Sequence, residues 1–189
     1  MSDSGFRIEA ATEDQVPLIL EFIRGLAEYE KLAEYVVADE DRLRASLFGP
    51  RPYAEVVFGY DGDTPAAFAL FYHNYSTFRG RPGIYLEDLF VKPEFRGKGY
   101  GKAMLVHLAR LAVERGCDRV EWVVLDWNEP AIGFYKRLGA VPMEGWETFR
   151  LEGEAHDDVL PHGATHDPRV LRGVRDAVVV VLHLASGHR

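Results

Sequence analysis

The chain has a single cysteine, Cys117, in 189 residues, so no internal disulfide can brace it, and that thiol has no evident activating base and reads as a packing residue. It has no apolar run of membrane-spanning length and no stretch near its start with the form of a signal peptide. The expectation is a cytoplasmic protein with no membrane partner. Cations are in short supply: 22 Lys and Arg face 30 Asp and Glu, a net charge of -8. That balance argues against nucleic acid or anionic lipid as a partner and mildly favours a cationic ligand. Repeats and low-complexity blocks are missing too. What is present is 47% hydrophobic and 28% charged residues, the composition of an ordinary globular fold around one core.

Periodicity supplies the elements. Residues 6–10 alternate apolar and polar as a half-buried strand does, and Thr12 with Gln15 three positions later forms a capping-box pattern ahead of a helix. That helix carries Val16, Ile19, Leu20, Ile23, Leu26 and Ala27 in one stripe, with Tyr29 and Glu30 near its end. A second helix spans about 39–48 and stops at Gly49-Pro50. Residues 53–60 and 65–75 read as strands joined by the turn Asp61-Gly62-Asp63, and 83–91 as a third. A helix over 101–115 turns Leu105, Leu108, Ala109 and Ala112 inward. Residues 119–125 form an apolar strand broken by Glu121, Asn128 and Pro130 open a helix ending at Leu138-Gly139, and 146–151 look like a last strand. The pattern is an α/β fold, a mixed sheet flanked by helices. Beyond Glu152 it weakens, although Val178 to Leu182 are strongly strand-like.

Between the 83–91 strand and the next helix lies Arg96-Gly97-Lys98-Gly99-Tyr100-Gly101. A helix N-terminus offers unpaired N–H groups and a positive dipole end, and glycines let an anion come close, so the segment suits a pyrophosphate. It is not a P-loop, which needs Gly at 96 and Ser or Thr at 103, where Arg96 and Ala103 stand. Nor is it a dinucleotide fingerprint, which needs Gly at 102 or 104, where Lys102 and Met104 stand. Taken alone, the hexapeptide is equally well a glycine-rich turn.

Its neighbours add weight. Arg-x-x-Gly-x-Gly after a strand resembles the acetyl-CoA motif of the GNAT acetyltransferases. The segments Tyr85-Leu86-Glu87-Asp88-Leu89-Phe90-Val91, Phe95-Arg96-Gly97, Trp127-Asn128-Glu129-Pro130-Ala131 and Phe134-Tyr135-Lys136-Arg137-Leu138-Gly139-Ala140 resemble the successive signatures of its diamine branch, the spermidine/spermine and thialysine acetyltransferases. Tyr29-Glu30 and Glu144-Gly145-Trp146 match that branch as well. The likeness runs from about Phe6 to Leu151. It implies a GNAT domain over residues 1–152, with a central, largely antiparallel mixed sheet of six to seven strands and about four helices, followed by a C-terminal extension over 153–189. It also implies acetyl-CoA as cosubstrate, a small amine as acceptor and assembly as a homodimer; residues 178–184 suit a strand added to a partner's sheet and equally one that completes the chain's own. The tail departs from the branch, which leaves the acceptor's identity open.

Acyl transfer to an amine needs a neutral amine, donors for the developing oxyanion and a proton for the departing thiolate. By the resemblance, the backbone N–H groups of Leu89, Phe90 and Val91 meet the thioester. Arg96, Gly97, Lys98, Gly99, Tyr100, Gly101 and Lys102 cradle the cofactor, and Asn128, Pro130, Ala131 and Tyr135 contact it. Tyr135 matches the tyrosine that protonates the sulfur; without the resemblance, a tyrosine following Phe134 on an amphipathic helix is more often a packing residue. Glu87 is the residue expected to hold or deprotonate the ammonium, with Tyr29, Glu30, Glu121 and Glu144 on the acceptor side. A solvated acidic rim is the plain alternative for each carboxylate. Glu87 and Asp88 are adjacent in a strand, so they point to opposite faces unless a bulge intervenes. No metal is expected: His156, Asp157, Asp158, His162, His166 and Asp167 lack the spacing of a zinc site. His73 suits either an acceptor groove or a structural hydrogen bond. Two further readings stay open, a protein or peptide N-acetyltransferase and a non-catalytic acyl-CoA-binding regulator.

Overall fold

A computed structural model describes residues 5–150. The chain divides into two compact units, Met1–Phe134 and Tyr135–Arg189. The strand-like 178–184 segment, the His/Asp cluster of 156–167 and the 153–189 extension lie outside the described residues. The elements are β1 (Phe6–Ala10), α1 (Val16–Glu30), α2 (Glu40–Phe48), β2 (Glu55–Asp61), β3 (Thr64–Ser76), β4 (Arg81–Val91), α3 (Tyr100–Glu114), β5 (Val120–Glu121) and α4 (Glu129–Arg137). One sheet in the order β1-β2-β3-β4-β5 holds the strands, the first four antiparallel and β5 parallel to β4.

Local chemistry sets the element ends. Thr12 and Gln15 close a capping box over a short 3-10 turn that leads into α1. Asp39 caps α2 by accepting the Arg42 N–H at 2.8 Å. Gly62, at φ 61°, makes the β2–β3 hairpin turn. α1 packs its apolar stripe on one face of the sheet, where Phe22 lies 5.5 Å from Phe58 and 5.4 Å from Phe68 between ring centroids. The same cluster includes Ile19, Leu20, Tyr60 and Phe90. α3 covers the opposite face with Met104, Leu105, Leu108 and Ala112. Ala109, expected to face inward, is exposed; Met104 fills that line, because 104, 108 and 112 repeat at the helical period.

The sheet has five strands among the described residues, below the six to seven expected. Of the expected strands, 119–125 is present but cut short and 146–150 does not form, while 178–184 lies outside the described residues. Of 119–125 only Val120 and Glu121 pair, and Val123 is 65% exposed. Residues 146–150 form no strand, and Phe149 is 88% exposed. Alternation marks a segment that can be a strand, but a ladder also needs a neighbour, which these stretches lack among the described residues.

Candidate active site

The ladder between β4 and β5 consists of Ile84 with Val120 and Tyr85 with Glu121, and there it ends. From Leu86 to Val91, β4 continues with β3 on one side and, among the described residues, no strand on the other, so the described sheet splits there. The Lys92 N–H donates to the Ala66 carbonyl on the β3 side at 3.0 Å. Alternation therefore turns the N–H groups of Leu89 and Val91 into the split and that of Phe90 toward β3. Of the three expected strand amides, two face the opening.

A bulge lies at the base of the split. Leu70 opposes Asp88 and Phe71 opposes Leu86, which leaves Glu87 without a partner on β3. Before it, Tyr85 shares a face with its opposite number Tyr72, the two rings stacked at 5.1 Å. After it, Asp88 and Phe90 lie opposite Leu70 and Phe68, on the face that α1 covers. Glu87 and Asp88 thus lie on one face, where simple alternation would separate them. Burial raises the Asp88 carboxyl to about 6, helped by the charges of Glu87 and Glu30. Glu30 is itself raised by burial at the end of α1. The phenols of Tyr72 and Tyr85 are raised, first by burial and then by Glu87. Asp88, with the charges of Glu87 and Glu30 acting on it and two stacked phenols beside Glu87, makes this an acidic, cation-seeking surface. Asp88 was not among the expected acceptor residues, since nothing in the sequence marks the bulge that turns it inward.

Glu121 behaves differently. Its Oε2 accepts from Arg119 Nε and Asn74 Nδ2, both at 2.7 Å, so its charge is already met within the protein. Asn74 and Arg119 both crowd Gly83, the residue opposite Asn74, whose side a Cβ would fill.

At the mouth of the split the chain leaves β4 through a 3-10 turn, Pro93–Phe95, and enters α3. Gly97 and Gly99 have φ of 79° and 87°, a conformation that side chains resist, and Gly99 is the N-cap of α3. An added Cβ would meet nothing within 4 Å at either position, so the glycines serve the backbone path and the space before them is open. Ala103 N–H to the Gly99 carbonyl, 3.0 Å, is the first bond of the helix, and the earlier N–H groups of its first turn have no intrahelical acceptor. The backbone fits a diphosphate. Side chains of the same segment have other partners: Lys98 Nζ lies 2.8 Å from Asp61 Oδ2, the Tyr100 hydroxyl bonds the same carboxylate, and the Tyr100 ring stacks on Phe6 at 4.0 Å. Gly101 packs toward Val91 and Phe134. Lys102 lies beside an open cavity of about 540 Å³ with Phe6, Ile8, Val106, His107 and Arg110, along edge strand β1 and three strands from β4.

Asn128 is buried, and its Oδ1 accepts the Ala131 N–H at 3.3 Å, capping the turn into α4 that contains Pro130. The Tyr29 hydroxyl lies 3.5 Å from the same oxygen. Tyr135 is half-buried in the last turns of α4, and its carbonyl accepts from Leu138 and Ala140. Glu144 is exposed in a turn of the second unit.

The acetyltransferase (GNAT) family pattern matches residues 20–140. Thialysine N-epsilon-acetyltransferase of Bos taurus is 43% identical over 159 residues, covering 78% of this chain and 93% of its own length. L-ornithine N5-acetyltransferase of Arabidopsis thaliana is 34% identical over 194 residues, covering 79% of this chain and 85% of its own length. Among solved structures, an integron cassette protein from the mobile metagenome of V. cholerae superposes with a TM-score of 0.70 at 26% identity, over 84% of this chain and 98% of that one.

Proposed function

We propose, since this chain belongs to the acetyltransferase (GNAT) family, that this acyltransferase moves acetyl from acetyl-CoA directly to the side-chain amine of a small lysine-like or diamine acceptor. One observation carries the acceptor class: the bulge at Glu87 turns Glu87 and Asp88 to one face beside the split of β4 and β5, and the charge of Glu30 at the end of α1 acts on Asp88 there. An acceptor with two cationic ends fits it, because one ammonium must keep a counter-charge while the other gives up its proton.

Acetyl-CoA supplies the activated acyl group. In this reading the N–H groups of Leu89 and Val91 hold the acyl oxygen as negative charge develops on it, and those of the Gly97–Gly99 turn and the first turn of α3 hold the diphosphate. Glu87 takes the proton of the reacting ammonium, directly or through water. Asp88 and Glu30 hold the second cation, and Tyr29 lines the acceptor side. Tyr135 gives its phenolic proton to the departing thiolate, a phenol being a competent general acid toward an alkyl thiolate. Glu144 completes the proposed acceptor residues.

Release of free thiol from acetyl-CoA, measured against thialysine, lysine, ornithine, diamines, polyamines, monoamines and lysine-containing peptides, tests the reading. The expected result is rapid release with lysine-like amino acids or diamines and slow release with monoamines. Release with peptides alone, or with none of the panel, overturns it.

A further inference from the structure

Arg96 opens the glycine motif, yet its side chain turns away from the turn that the glycines form. Its Nε donates to the Val91 carbonyl at 3.0 Å. Its guanidinium carbon stands 4.5 Å from the centroid of the Tyr29 ring and 5.6 Å from that of Phe90. A planar cation between two aromatic faces has a defined orientation, which an ammonium in its place would lack. Val91 is the residue whose N–H points into the split, and in a strand its carbonyl points the same way. Arg96 therefore occupies the acceptor oxygen that would otherwise face the opening and leaves the N–H donors there. Through Tyr29 the contact continues: the hydroxyl reaches Asn128 Oδ1, which caps the first turn of α4, and Trp127 lies 6.5 Å from the Tyr29 ring.

We infer that Arg96 is a positioning residue for the acceptor side: its guanidinium, bonded to the end of β4 and stacked on Tyr29, sets the last turn of α1 against the split, and its side chain does not serve as a diphosphate ligand. The inference deepens the acetyl-transfer reading and rests on it for its kinetic consequence. α1 ends at Glu30, one residue beyond Tyr29 and one of the carboxylates that raise Asp88. Holding the Tyr29 ring fixes where that carboxylate stands relative to Glu87 and Asp88. The backbone of the glycine turn keeps its own role.

Two donors separate a phosphate ligand from a positioning residue. S-acetylpantetheine carries the same thioester as acetyl-CoA but no diphosphate. Arg96→Ala and Arg96→Lys are compared with the parent for kcat and for the KM of a lysine-like amine, with each donor in turn. The expected result for Arg96→Ala is a loss of kcat/KM of about tenfold, equal for the two donors and carried mainly by the KM of the amine, with Arg96→Lys recovering only part because it cannot stack as a plane. A loss confined to acetyl-CoA, or seen only in the KM of the donor, overturns the inference. Hydrogen exchange on the protein without substrates gives a second reading that needs no turnover. Arg96→Ala should speed exchange over residues 26–32 and 127–131 and leave 100–114 unchanged; uniform acceleration, or none, counts against the inference. A parent protein that acetylates nothing would overturn the proposed function while the exchange result still decides the place of Arg96.

Discussion

Asp88 carries the clearest electrostatic signature in the described residues. Its carboxyl titrates at about 6 in the folded protein against an ordinary value of 3.8. Below pH 3.8 both folded and unfolded chains hold the proton and burial exacts no penalty. As pH rises through that value the unfolded chain ionises first, and the folded state loses stability until its own carboxyl ionises near 6; above that the loss is complete. Asp88→Asn should therefore leave stability nearly unchanged at pH 3.5 and raise it at pH 8 by on the order of 2 kcal/mol, read from urea unfolding at the two pH values. An equal gain at both would show that charge is not the cause. The same titration predicts that the KM for a diamine falls between pH 5 and 7 as Asp88 becomes an anion able to hold a cation, and that the fall disappears in Asp88→Asn. Tyr135→Phe removes the proposed proton donor; turnover should drop about 100-fold with coenzyme A affinity preserved, as rapid-mix kinetics and calorimetry would record. Sequence reading proposed Glu87, Tyr29 and Glu30 through motif resemblance and weighed Asp88 only as the neighbour of Glu87 on the opposite face. A bulge is a long-range agreement between two strands, and no residue of β4 announces it.

At the scale of elements, α1, α2, α3 and the β2–β3 hairpin were legible because each carries its own signal: a capping box at Thr12, an acid at Asp39, a glycine where the backbone turns left-handed. The shortness of β5 was not, since strand length depends on how far β4 runs alongside before the split. The turn into α3 offers a discriminating pair of substitutions. Gly99 and Gly62 have φ of 87° and 61°, and a side chain at either would be strained by about 1–2 kcal/mol. Gly99→Val should lower both thermal stability and coenzyme A affinity, the latter at least about tenfold. Gly62→Ala, at the hairpin, should lower stability alone. Equal affinities for the two variants would detach the glycine turn from cofactor binding.

For the molecule as a whole, a net charge of -8 predicts a field that draws in cationic acceptors and fades with salt. The kcat/KM for a diamine should fall severalfold between about 20 and 200 mM salt, and that for a neutral-bodied monoamine should fall less; parallel slopes would mean the acidic patch does not select its acceptor. Composition conveyed this bias directly, whereas the way the layers face could be learned only from pairing. Here Glu87 has a consequence beyond its own carboxylate. In β4 the even positions 84 and 86 face α3 before it, and the odd positions 89 and 91 do so after it. The residue thus acts as a change of reading frame within a strand. Deleting it would heal the ladder while presenting Ile84 and Leu86 to the opposite layer, so that one lost residue would set half a strand out of phase with the rest of the molecule.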